Sequence, residues 1–140
     1  AAARCKVAAR YDAAFSGLKT VRKPLKSVFS SHVYHQYTVQ LKPVGDYTDT
    51  AKLRESLQSF LKEKGIPSMV YYPLPLQAQD AYKWMARTPG NMNEAARLSQ
   101  CVLSLPIHTE MTKEEQEYII DAILDFYSNL VESNNIDERK

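Results

Sequence analysis

Seven prolines, at positions 24, 43, 67, 73, 75, 89 and 106, divide this chain into short segments. Proline fixes φ and lacks a backbone N–H, so helices and inner strands must fit between these points. Four glycines, Gly17, Gly45, Gly65 and Gly90, add further stops. The first three read as element ends and Gly90 as a turn after Thr88-Pro89. Glycines so few and so scattered offer little material for a phosphate-cradling loop.

Within 140 residues this punctuation leaves room for one domain with one real core. Hydrophobic residues make up 44% and charged residues 24%, a globular balance rather than a disordered one. A net charge of +2 is too balanced for a nucleic-acid footprint. No apolar run approaches the roughly 18 residues of a membrane span, and Ala1–Arg10 lacks the apolar stretch of a secretory signal. Cys5 and Cys101 form no CxxC pair, so two reduced thiols in a cytoplasmic protein are expected; a disulfide between them stays open.

Periodicity fills the segments. Val7, Tyr11, Ala14 and Leu18 share one helical face, on a helix that starts uncapped at Ala1 like the end of a longer one. Residues 20–31 read as a polar connector. Residues 32–41 alternate as a strand, with Val33, His35, Tyr37, Val39 and Leu41 on one face and Tyr34, Gln36, Thr38 and Gln40 on the more polar other, which can face a cleft. Residues 48–64 form the clearest helix, capped by Asp46 or Asp49, striped by Leu53, Leu57, Phe60 and Leu61, and ended by Gly65. Residues 66–72 read as a second strand and 78–86 as a short helix carrying Tyr82 and Met85. Asn91 or Asn93 caps another short helix through Gln100, and residues 101–105 form a third strand. Thr112 and Glu115 make a capping box before a helix carrying Ile119, Ile123, Phe126 and Leu130. Residues 132–140 are polar and expected to fray. The fold class is α+β: a small, mostly antiparallel sheet with helices on one face, its other face without obvious cover.

Catalytic constellations are thin. His32 and His35 are three apart in the expected strand and point to opposite faces, so they cannot share a metal. His35 is expected in the core and His108 in a loop, which leaves an autonomous hydrolase little support. No HExxH, GxSxG, Walker or EF-hand motif is present. Lys19, Lys23 and Lys26 sit in a polar connector and Lys62 and Lys64 at a helix end, where a Schiff-base role has no apolar pocket to lower the pKa. The unusual features are His35-Gln36-Tyr37 and the run Tyr71-Tyr72-Pro73-Leu74-Pro75-Leu76-Gln77. A proline-stiffened loop bearing phenols can line a ligand cleft or simply pack on the core.

The ordered series "HVYHQYTVQL", "KEKGIPSMVYYPLPLQAQDAY" and "CVLSLPIHTEMTKEEQEYIIDAI", preceded by "RCKVAARYDAAF", resembles the C-terminal small domain of the DegT/DnrJ/EryC1/StrS family of sugar aminotransferases, over about residues 4–130. The resemblance implies the small-domain fold of fold-type I pyridoxal-phosphate enzymes. It implies a homodimer that transfers an amino group, usually from glutamate, to a nucleotide-linked keto sugar in polysaccharide or related sugar biosynthesis. It assigns the cofactor lysine, phosphate cup and pyridinium-binding aspartate to a large N-terminal domain whose motifs are not in this sequence. On that reading residues 1–18 end an interdomain helix, 19–131 are the small domain, 132–140 are a tail, and this chain alone neither binds pyridoxal phosphate nor catalyses. The expected partners are its own large domain, a second subunit and the substrates, with no nucleic acid and no membrane. By motif position Tyr72 and Gln77 line the substrate mouth, with Gln36 and Tyr37 nearby; no catalytic, cofactor-binding or metal residue falls in this chain. Two positions depart from the family pattern. Gln77 stands where it usually has histidine, keeping hydrogen bonding but losing proton transfer. Gly90-Asn91-Met92-Asn93 stands where a Gly-Asp-Phe-Pro-like run is usual. A free-standing α+β module that binds a nucleotide or peptide is the alternative.

Overall fold

The computed structural model describes residues 1–82, 84, 90 and 92–137. Its elements are α1 (Ala2–Ala14), β1 (Val21–Arg22), β2 (Tyr37–Leu41), α2 (Thr50–Glu63), a 3-10 turn at Leu76–Ala78, α3 (Asn93–Cys101), β3 (Val102–Leu105) and α4 (Lys113–Asp137). The strands form one antiparallel sheet in the order β1-β2-β3, with Val21 opposite Leu41 and Tyr37 opposite Leu105. The α+β class expected from the sequence is the one observed.

The inner face of the sheet carries Tyr37, Val39, Leu41, Leu103 and Leu105, all buried. Against it pack Val7, Ala8 and Tyr11 of α1, Leu53, Leu57 and Leu61 of α2, and Ile119, Ala122, Ile123, Phe126 and Tyr127 of α4. Each set recurs at three- and four-residue intervals, which puts it on one helical face. Polar bonds fix the helices in place. Tyr11 donates to the Pro106 carbonyl at 2.9 Å, Gln116 Nε2 to the Val7 carbonyl at 2.7 Å, and Tyr118 to the Lys64 carbonyl at 3.0 Å.

The helix ends follow their residue types. Asp49, rather than Asp46, caps α2 by accepting the Ala51 N–H at 2.9 Å. At the other end Gly65 adopts φ +71°, its N–H reaches Lys62 O and that of Ile66 reaches Leu61 O. This Schellman closure seals with the buried pair Leu61 and Ile66. The capping box at α4 forms in both directions: Glu115 N–H to Thr112 Oγ1 at 3.1 Å, and Thr112 N–H to Glu115 Oε2 at 2.9 Å.

Several expectations shift. The first helix ends at Ala14, before Leu18, and Phe15 just beyond it is buried. Val21–Arg22, expected in a connector, is a strand paired with β2. β2 begins at Tyr37 instead of His32, because Tyr34 takes a positive φ of 48° and breaks the alternation. That break inverts the faces upstream: Tyr34 is buried, whereas Val33 and His35 are exposed, so His35 is not a core histidine. Residues 66–72 contribute a single bridge, Met69 to Ser104. The Ile66 N–H is already spent on α2, and Pro67 has none to give.

Of the helix expected over 78–86, residues 78–82 instead show the end of the 3-10 turn and a turn at Tyr82; residue 83, Met85, Ala86 and Thr88-Pro89 lie outside the described residues. Asn91 lies outside them too, and Asn93 is the first residue of α3, which starts after Met92 with no side-chain cap bond. Cys101 ends α3 rather than opening β3, and α4 runs to Asp137 through part of the expected fray.

Candidate functional site

The outer face of the sheet presents Thr38, Gln40, Val102 and Ser104, with the Thr38 and Ser104 hydroxyls bonded at 2.8 Å. At the end of the sheet where Gln40 meets Val102, a cleft of about 500 Å³ opens. One wall is the loop of Tyr71, Tyr72, Leu74, Pro75, Leu76 and Gln79; the other is Ala95, Leu98 and Ser99 of α3, with Val102 as floor. The loop is built by its residue types. Pro75 is extended, at φ −64° and ψ 151°, and the Ala78 N–H closes the 3-10 turn on its carbonyl at 2.9 Å. The α3 wall is fixed from behind, where the buried Arg54 of α2 donates from Nη1 to the Ser99 carbonyl.

Around the cleft the charges are compensated. Arg97 bonds Glu94 through Nε at 2.9 Å and Nη2 at 2.6 Å, and Nη2 also reaches Gln40 Oε1 at 3.3 Å. The Arg97 bond holds the Glu94 carboxyl below its usual range. Both cysteines are free thiols, and burial pushes the Cys101 thiol up, so it stays protonated. The walls therefore offer apolar and aromatic surface with hydroxyl and amide groups at the edge, a lining suited to a ring-bearing polar ligand.

The four expected site residues do not converge within this chain. Tyr72 is 73% exposed and lines the cleft. Gln77 sits half-buried in the 3-10 turn, between the lining residues Leu76 and Gln79 but not itself in the lining among the described residues. Gln36 precedes β2, four residues before Gln40 and thus roughly 13 Å along the strand from the cleft. Tyr37 is fully buried on the inner face, where its hydroxyl donates to Asp12 Oδ1 at 2.8 Å and its ring lies 4.8 Å from that of Tyr11. Burial first, then this bond to a carboxylate, raises the Tyr37 phenol above its ordinary range. The sequence reading missed the α3 wall. The only signal for it was the spacing of Ala95, Leu98 and Ser99, which an ordinary packed helix shows equally.

A pyridoxal cofactor needs a lysine within reach to hold it. No described lysine lines the cleft, Lys23 Nζ is spent on the Asp12 carbonyl at 2.9 Å, and Lys64 lies over the Phe60 ring. No group of three or more His, Cys, Asp or Glu side chains that could hold a metal occurs among the described residues. No described helix is long and apolar enough to cross a membrane.

The model of the DegT/DnrJ/EryC1/StrS aminotransferase family matches residues 1–124. The chain belongs to that family. It is 41% identical over 96 residues to a pleiotropic regulatory protein of Geobacillus stearothermophilus, covering 69% of this chain and 23% of that one. It is 35% identical over 107 residues to the UDP-2-acetamido-2-deoxy-3-oxo-D-glucuronate aminotransferase of Pseudomonas aeruginosa, covering 76% of this chain and 26% of that one. A Streptococcus pneumoniae protein solved in its PMP form shares the fold with a TM-score of 0.74 and 26% identity, over 91% of this chain and 31% of that one. The chain thus spans about a quarter to a third of the length of these relatives, of which the Pseudomonas aeruginosa protein is named for a UDP-linked sugar. The resemblance read from the motif series is borne out.

Proposed function

We propose that this chain is the C-terminal small domain of a pyridoxal-phosphate-dependent aminotransferase that delivers an amino group, supplied by glutamate, to a nucleotide-linked keto sugar. Family membership over residues 1–124 carries the reading, and the cleft beside Tyr72 supplies its local chemistry. The cofactor provides the electron sink for transamination, and its lysine and phosphate site belong to a large domain outside these residues. On this reading α1, which ends at Ala14, continues an interdomain helix, and the tail expected from residue 132 starts as the last turns of α4. The chain's own part is to wall the substrate side: the Tyr72 ring packs against the sugar nucleotide, and Gln77 donates or accepts a hydrogen bond where no proton transfer is needed. Gln36, at the far end of the sheet, meets a different part of the assembly, and Tyr37 acts from the core by holding Asp12 on α1.

Exposure supports the same reading. Leu25, Val28, Phe29, Tyr72, Leu76 and Trp84 are all more than 60% exposed, and such apolar surface suits a seam with the large domain or the second subunit of a cytoplasmic homodimer.

The test is direct. The complete reading frame that encodes this chain, supplied with pyridoxal phosphate, glutamate and a panel of UDP- and dTDP-linked keto sugars, is expected to release 2-oxoglutarate and an amino sugar nucleotide. The 140-residue chain alone is expected to give no Schiff-base absorbance with the cofactor. Absence of turnover across the panel, or a borohydride-reducible adduct on one lysine of this chain, overturns the reading.

A further inference from the structure

Tyr34 is the one described non-glycine residue with a positive φ, +48°. Crowding at Cβ disfavours that conformation, so the surroundings must hold it. Two contacts from His32 do so. The Tyr34 N–H donates to His32 Nδ1 at 2.9 Å, and the two rings stack with centroids 4.1 Å apart. A ring nitrogen that accepts a hydrogen bond carries no proton, so this geometry requires the neutral Nε2–H tautomer. Protonation places a hydrogen on Nδ1, where it faces the Tyr34 N–H: two donors meet and the bond is lost.

Other groups face this turn. From α1, the Cys5 thiol donates to the His32 carbonyl at 3.4 Å. Also from α1, the Asp12 carboxylate lies near enough to Tyr34 to add to the rise that burial gives its phenol. From β2, the Tyr37 ring lies 6.3 Å from that of Tyr34, its hydroxyl engaged by Asp12. The Tyr34 ring itself is 6% exposed and part of the core, so the turn is the anchor where the chain enters the sheet. Upstream of it, Leu25, Val28, Phe29 and Val33 stand 57–95% exposed.

We infer that His32 is a pH-sensitive latch on the Tyr34 turn, which heads this apolar segment: neutral, it accepts the Tyr34 N–H and pins the turn; protonated, it gives up that bond. The latch is independent of the aminotransferase reading, because its readout is local structure rather than turnover. The experiment follows amide hydrogen exchange by NMR, as protection factors corrected for the intrinsic rate, from about pH 8 to about pH 5. Protection at Tyr34 is expected to fall about two- to twelvefold across that range, the worth of one hydrogen bond, while Val39 in β2 holds constant. His32→Gln, whose side-chain oxygen accepts without titrating, is expected to flatten the profile, and Cys5→Ala to leave it as it is. The nitrogen chemical shifts of the His32 ring in the wild-type protein at neutral pH are expected to report a bare Nδ1. Constant Tyr34 protection, an equal fall in His32→Gln, or a protonated Nδ1 at neutral pH overturns the latch.

Discussion

The inner face of the sheet and the segment from Leu25 to Val33 are both rich in apolar side chains, but they meet different surroundings. On the sheet, Tyr37, Val39, Leu103 and Leu105 are at most 4% exposed, sandwiched under three helices. On the segment, Phe29 is 95% and Val28 89% exposed. The difference lies in periodicity. β2 alternates strictly and each flanking helix repeats its stripe, so every apolar group finds a facing partner. Residues 25–33 repeat at neither interval and end in a left-handed turn, so no described element covers their exposed side chains. Apolar content alone does not mark a core; a matching period on a second element does.

The largest way to break the comparison is truncation on the buried side. Leu57→Ala and Leu103→Ala remove fully buried side chains and are expected to cost about 2–5 kcal/mol each in urea unfolding. A cost below about 1 kcal/mol at both would mean that the helices do not close on the sheet as described.

Next comes a pH effect confined to the core. Tyr11, Tyr37 and Tyr127 are all raised above the ordinary phenol range, in each case chiefly by burial. In the unfolded chain they ionise near pH ~10, so the unfolded state sheds protons there and the folded state does not. The stability they supply is complete below about pH 10 and declines as pH rises through the folded-state values. Thermal midpoints measured from about pH 8 to about pH 11 should therefore drop at the alkaline end, and Tyr127→Phe should shallow that drop. A midpoint indifferent to alkaline pH would contradict the burial of these rings.

A smaller effect tests a helix end. Thr112→Ala removes half of a reciprocal cap and is expected to cost about 1 kcal/mol, with the loss appearing first as faster amide exchange at Glu115. Unchanged exchange at Glu115 would show that the cap does not form in solution.

How much of this was legible depended on whether one element could be judged without its neighbours. The Leu53, Leu57 and Leu61 stripe, the Gly65 stop and the Thr112–Glu115 box are local patterns with local causes, and all three formed. β1 was not legible, because Val21–Arg22 between lysines has no period of its own and becomes a strand only by pairing with Gln40 and Leu41. The strand start was misjudged because alternation can be traced back to His32, whereas the His32–Tyr34 contact redirects the chain. In the candidate site, Tyr72 was legible from its proline-stiffened loop and its motif. Tyr37 shows the limit of motif position: strand alternation already grouped it with Val39 and Leu41, and the structure follows the alternation. The α3 wall and the supporting Arg54 depend on tertiary packing that no local pattern announces.

The smallest stability effect sharpens the comparison most. Phe29→Ser replaces a side chain that is 95% exposed, so the folded chain loses almost no burial and stability should change by no more than about 0.5 kcal/mol. The same change removes the most exposed ring of the segment, so self-association at high concentration, read by sedimentation, should weaken relative to the wild-type chain. The two readouts separate the possibilities. An unchanged midpoint with weaker association means that the segment is a surface held ready for a partner. A destabilisation approaching that of Leu57→Ala would mean that Phe29 packs into the core in solution, and the contrast between the two regions would fail.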